Sequence, residues 1–235
     1  MAGKIGGGIS ARNPFGPDWG KSKSTTTADG PQSVGDQVQG DLFGKKKPPI
    51  LDEDDAHLSA QMARLRAWKR RLAKLAGDAE DDYALVLATG TIAMIDETGL
   101  IYVGRDFILQ NMDTPDVLVG VLAHEIGHRP KRWNEYRSQA PVSKEDSEKL
   151  CRLEETRADY FSGKALAELG LSCRPLIQFL SAVAVHPHPE YFSASLRAEV
   201  IHEGWEDGKR KASDRSKFFP ELARMHNASG DLGTG

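Results

Sequence analysis

The run from Val117 to His128, VLVGVLAHEIGH, constrains this chain more than any other stretch. It ends in His124-Glu125-Ile126-Gly127-His128, an H-E-x-x-H pattern entered through an unbroken apolar approach. Residues four apart on a helix share a face, one turn above the other. Two imidazoles so placed can both reach one zinc ion at about 2.0–2.1 Å. Glu125 then stands beside the metal, where a carboxylate can take a proton from water. The flanks agree with a helix. Thr114-Pro115 offers an N-cap followed by proline at the first helical position, and Arg129-Pro130 ends the run. The alternative is a core helix whose two histidines are merely hydrogen-bonded.

Composition narrows the classes around that helix. The chain has 235 residues and a formal net charge of −3, with mean hydropathy −0.47. One domain of ordinary size plus additional segments is expected. A near-neutral balance gives no electrostatic footprint for nucleic acid. The 2 cysteines, Cys151 and Cys173, make no disulfide framework and fit a reducing compartment. No apolar run approaches the roughly 18 residues of a membrane span, and no Sec signal pattern is visible. A cytoplasmic protein, or one exported by a non-Sec route, is the expectation.

Along the chain, residues 1–49 read as a disordered tail. They are rich in Gly, Ser, Thr, Asp and Pro and carry few large apolar groups, so they cannot offset their conformational entropy. The tail is a flexible appendage, a docking or secretion signal, or an inhibitory pro-segment; Phe15, Trp19 and Phe43 are its aromatic anchors for any docking partner. The domain proper is expected over 50–212, with a weakly structured tail over 213–235. Asp52 to Ala76 has the period of an amphipathic helix through Leu58, Met62, Leu65, Leu72 and Leu75, closed by Gly77. Its basic residues read as a solvated face. Tyr83–Ala88, Thr91–Ile95 and Leu100–Val103 read as short strands with a turn at Glu97-Thr98-Gly99. Ile92–Ile95 is the expected edge, where an extended peptide could pair. A loop follows from Lys131 to about Lys144. A helix then runs from about Ser143 to Leu169, stopped by Gly170, with Leu150, Leu153, Phe161, Ala165 and Leu166 as its apolar face.

A catalytic zinc commonly takes three protein ligands and leaves one position open. Glu155 is the first choice for the third ligand and Glu154 the second. Glu155 and Asp159 share a helical face. Asp159 can therefore accept a hydrogen bond from the far nitrogen of a ligand histidine and fix its tautomer. Cys151 reads as packing.

The pair His124-Glu-Ile-Gly-His128 and Glu155-Thr-Arg-Ala-Asp159 resembles the gluzincin metallopeptidases related to HtpX, BepA and the CAAX prenyl endopeptidase. The continuation to Gly170 and the Thr91–Val103 hairpin are similar too, so the resemblance covers about Leu85 to Val200. Many of those relatives are membrane proteins, whereas this chain resembles a soluble, minimal version. The resemblance implies a zincin-like domain of α+β class. Its small antiparallel or mixed sheet would pack on helices that include the H-E-x-x-H helix. It also implies a zinc-dependent endopeptidase acting on protein or peptide substrates. Family members commonly carry a later His-Pro followed by Arg, here His186-Pro187-His188-Pro189 and Arg197. His188 and Arg197 are accordingly candidates to stabilise an oxyanion, and a histidine there could instead cap the open zinc position. Two other readings stand beside this one. One is a repressor-cleaving protease of the ImmA/IrrE kind. The other is a zinc-stabilised peptide-binding module without turnover.

Overall fold

A computed structural model describes residues 47–129, 143–183 and 192–218, with side chains as far as 213. The expectations for the N-terminal tail before Lys47, the loop after Arg129, His188 and the end of the chain lie outside these residues. Among the described residues the architecture is α+β: six α-helices and one small three-stranded mixed sheet. No helix among the described residues is long and apolar enough to cross a membrane.

Helix α1 spans Ala56–Ala76. It begins later than the acidic run suggested because Asp55 is the residue that caps it. The Asp55 carboxylate accepts from the backbone N–H of His57 at 2.8 Å and of Leu58 at 2.9 Å, satisfying two donors that the first turn leaves open. Gly77, at φ 78°, closes the helix in the left-handed conformation. Leu58, Met62, Leu65, Leu72 and Ala73 face the core.

Strands β1 (Ala84–Ala88), β2 (Ala93–Ile95) and β3 (Leu100–Gly104) form a sheet of order β1-β3-β2. β1 pairs with β3 in parallel, Ala84 opposite Leu100, and β2 pairs with β3 antiparallel, Ala93 opposite Val103. Asp96 organises the β2–β3 turn. Its carboxylate accepts from Thr98 N at 2.9 Å, Thr98 Oγ1 at 2.6 Å and Leu100 N at 3.2 Å. Gly99 sits at φ 86°, and a Cβ there would fall 2.0 Å from the carbonyl oxygen of Asp82. Residues 47–49, assigned to the tail by composition, are held against the sheet. Ile50 bridges Ala88, Thr89 N donates to Pro49 O at 3.1 Å, and Lys47 Nζ reaches Asp96 at 2.8 Å. The Pro49 and Ile50 contacts lie at the end of the free edge of β1, and the Lys47 contact reaches the β2–β3 turn. Among the described residues, β2 has no strand on its outer side.

A short helix, α2 (Arg105–Asn111), leads into α3 (Pro115–Gly127). α3 is buried from Val117 through Ala123, as expected of a helix apolar on every side. Pro115 opens it, but the Thr114 side chain makes no capping bond. α4 (Lys144–Glu168) starts at Ser143, whose hydroxyl accepts from Asp146 N at 3.1 Å. Its buried face includes Cys151, Glu155, Ala158, Asp159, Ala165 and Leu166. Leu153, placed on that face by its spacing, is 43% exposed instead. α5 (Arg174–Val183) and α6 (Ala194–Phe218) complete the fold, with α6 continuing past the boundary drawn at 212.

α4 and α6 lie backbone to backbone. A Cβ added to Gly163 would fall 1.9 Å from Ile201 O, and one on Gly204 would fall 2.1 Å from Tyr160 O. Arg197 meets Asp159 near the start of this contact and Lys211 meets Glu168 near its end. The two helices therefore run in the same direction.

Candidate metal centre

The site is built where α3 meets α4. Gly127, inside the pentapeptide, makes that meeting close: a Cβ there would lie 2.8 Å from the Cα of Ala158. Ala158 separates the turns that carry Glu155 and Asp159, so this one contact delivers both carboxylates to the histidines. The rings of His124 and His128 stand edge to face, 4.8 Å apart between centroids. His124 Nε2 is 3.2 Å from Glu155 Oε2, and His128 Nε2 is 3.6 Å from Glu155 Oε1. One ligand atom from each of the three residues lies within 4.8 Å of the other two. His124 Nδ1 is 2.9 Å from Asp159 Oδ1, which commits that nitrogen and turns Nε2 toward Glu155.

These groups are sheltered from water. Glu155, Asp159, His128 and Glu125 are buried, and His124 is 16% exposed. Arg197 on α6 closes the arrangement from behind. It donates to both oxygens of Asp159, Nε at 2.7 Å and Nη2 at 2.9 Å, and Nη2 lies 3.5 Å from Glu155 Oε2. A fork on a carboxylate fixes direction as well as charge. The sequence suggested an oxyanion role for Arg197; its guanidinium is placed on the acids that orient and complete the histidine pair. Glu154, the second choice for a ligand, is fully buried and pairs with Arg157 at 2.5 Å. Cys151 is buried on α4 and is not in the three-residue group.

The electrostatics follow from burial opposed by pairing. For His124, burial disfavours the charged ring, but its bonds to Asp159 and Glu155 outweigh this and raise the pKa to about 10. For Asp159, burial would raise the pKa, yet the Arg197 charge and the bonds from His124 and Arg197 bring it to about 2. Burial also opposes ionisation of Glu155, and the adjacent His124, His128 and Arg197 still hold it below its usual range. Glu125 moves the other way. Burial raises it to about 7, only partly countered by the charge on His124 and a bond from the backbone N–H of Ile95. That N–H belongs to β2, so the outer strand touches the carboxylate between the two histidines.

The donor set suits zinc. Two imidazole nitrogens and one carboxylate oxygen are ligands that zinc accepts. Glu155 Oε2 is buried without a well-directed hydrogen bond, even with His124 Nε2 so near. Its near neighbours are His124 Nε2 at 3.2 Å and Arg197 Nη2 at 3.5 Å, and a divalent cation beside the two Nε2 atoms would give it a direct ligand bond.

Comparison of the chain with protein-family models, curated proteins and solved structures finds no match. The reading of this site therefore rests on its own geometry. Three features were not read from the sequence: the fork from Arg197 to Asp159, the Ile95 N–H on Glu125, and the close approach at Gly127. The third had a visible signal, a glycine on an otherwise apolar helix one residue before a ligand candidate.

Proposed function

We propose that this protein is a zinc-dependent endopeptidase with a zincin-like fold, similar to the gluzincins. The observation that carries the reading is the convergence of both Nε2 atoms on the Glu155 carboxylate, with Asp159 taking the far nitrogen of His124. His124, His128 and Glu155 would hold the metal. Zinc at such a site supplies a Lewis acid and makes water nucleophilic near neutral pH.

The chain's own residues account for the remaining steps. Asp159 keeps His124 in the tautomer whose Nε2 faces the ligand point, and Arg197 keeps Asp159 ionised. Glu125, a buried carboxylate between the two histidines, would accept the proton of the attacking water and pass it to the leaving amine. The outer edge of β2, which pairs with no further strand among the described residues, would take an extended peptide as an added strand. Its Ile95 contact with Glu125 would bring a paired peptide next to the general base.

Glu125→Gln tests this directly. The variant is expected to bind zinc like the wild type and to leave casein and a peptide library uncut, while the wild type cuts and stops when chelator is added. Cleavage at the wild-type rate by Glu125→Gln would overturn the mechanism. Peptide binding without turnover by the wild type would make the protein a binding module.

A further inference from the structure

Among the described residues, one non-glycine residue has a positive φ: Arg129, at 47°. It directly follows His128. A left-handed L-residue costs roughly 1–2 kcal/mol, and helices usually place glycine or asparagine where such a conformation ends them. An arginine in that position calls for a reason in its side chain.

The side chain supplies one. Arg129 Nε lies 3.1 Å from Asp78 Oδ2, and Nη2 lies 2.5 Å from Asp78 Oδ1. The Asp78 carboxylate is 4% exposed. It also accepts from the Tyr83 hydroxyl at 2.7 Å, and that hydroxyl lies 3.4 Å from Ile126 O. Asp78 is itself fixed at the end of α1, its N–H donating to Ala73 O at 3.0 Å. The exit of α3 is thus tied to α1 and to the start of β1, one residue beyond a ligand histidine. None of the three clamp residues belongs to the three-residue ligand group.

We infer that Asp78, Tyr83 and Arg129 are positioning residues for His128. The clamp holds the last turn of α3 so that the His128 ring stays on Glu155, and the strained backbone persists because the bidentate ion pair maintains it. This goes beyond the peptidase reading in naming what sets the geometry of one ligand. It depends on that reading only for its zinc readout.

The test uses the full chain as wild type, Arg129→Gly, Arg129→Lys and Asp78→Asn. Zinc affinity is measured by competition with a chromogenic chelator, stability by urea unfolding without metal, and the His128 ring by its nitrogen NMR signals without metal. Arg129→Gly relieves the backbone while removing the fork. It is expected to lose some stability, because the buried Asp78 carboxylate loses its ion pair, to lose about tenfold or more in zinc affinity and to shift the His128 ring signals. Arg129→Lys keeps the charge without the fork and should fall between. Should Asp78→Asn unfold, the Arg129→Gly result decides. Wild-type zinc affinity and unmoved ring signals in Arg129→Gly would overturn the inference. If the wild type takes up no zinc, the peptidase reading fails, and the ring signals still decide the clamp.

Discussion

Gly163→Ala is the sharpest perturbation of how the fold sets the site. The new Cβ would stand 1.9 Å from the carbonyl oxygen of Ile201. Both partners are helix backbone, so no flexible side chain can move aside. Reaching an ordinary contact of 3.4 Å asks α6 to retreat from α4 by about 1.5 Å, a large shift in an interior packed like an organic crystal. Arg197 rides on α6 and holds Asp159 on α4 through bonds of 2.7 and 2.9 Å, which a retreat of that size breaks. The expected loss of stability is about 1–3 kcal/mol by urea unfolding. Zinc affinity should fall by about tenfold or more, as for other losses of outer partners of metal ligands. Gly170→Ala is the control: it stands at φ 76° with nothing within 4 Å, so it carries backbone strain alone and should leave zinc affinity unchanged. Gly163→Ala with wild-type stability and zinc affinity would refute the claim that this contact positions Arg197.

Two further perturbations have defined outcomes. The folded-state pKa of Asp159, about 2, lies below its usual 3.8. A depressed carboxylate stabilises the fold above about pH 4 and loses that contribution as pH falls toward 2, on the order of 2 kcal/mol. Arg197→Met removes the largest opposing charge, so in chelator its acid unfolding should begin at higher pH than in the wild type; coincident acid limbs would count against the pairing. Asp96→Ala strands the N–H groups of Thr98 and Leu100 and leaves the Lys47 ammonium with Glu97 alone. It should cost about 1–3 kcal/mol in urea unfolding, whereas a change within about 0.5 kcal/mol would show that the turn stands without it.

Local chemistry was legible in the sequence and distant pairing was not. The period of α1 and its glycine stop could be read directly. Its start could not, because Asp52, Asp54 and Asp55 could each cap it and only the backbone path selects Asp55. The H-E-x-x-H helix was bounded by its prolines, but the residue before Pro130 avoids the helical region by turning left-handed rather than extended. Its side chain there meets Asp78, far away in sequence. The parallel pairing of β1 with β3 is likewise absent from the alternation of either strand. Glu155 and Asp159 could be paired by helical spacing alone. Their tie to Arg197 needed the parallel packing of α4 on α6, set by glycines whose meaning appears only when the helices meet.

The central claim is that His124, His128 and Glu155 hold one zinc ion. X-ray absorption at the zinc edge of the zinc-loaded full chain tests it most directly. The account predicts two imidazole nitrogens at about 2.0–2.1 Å with oxygen completing the shell, one imidazole lost in His128→Ala, and altered oxygen scattering in Glu155→Gln. A shell of sulfur or of oxygen alone, or one unchanged by His128→Ala, would contradict it.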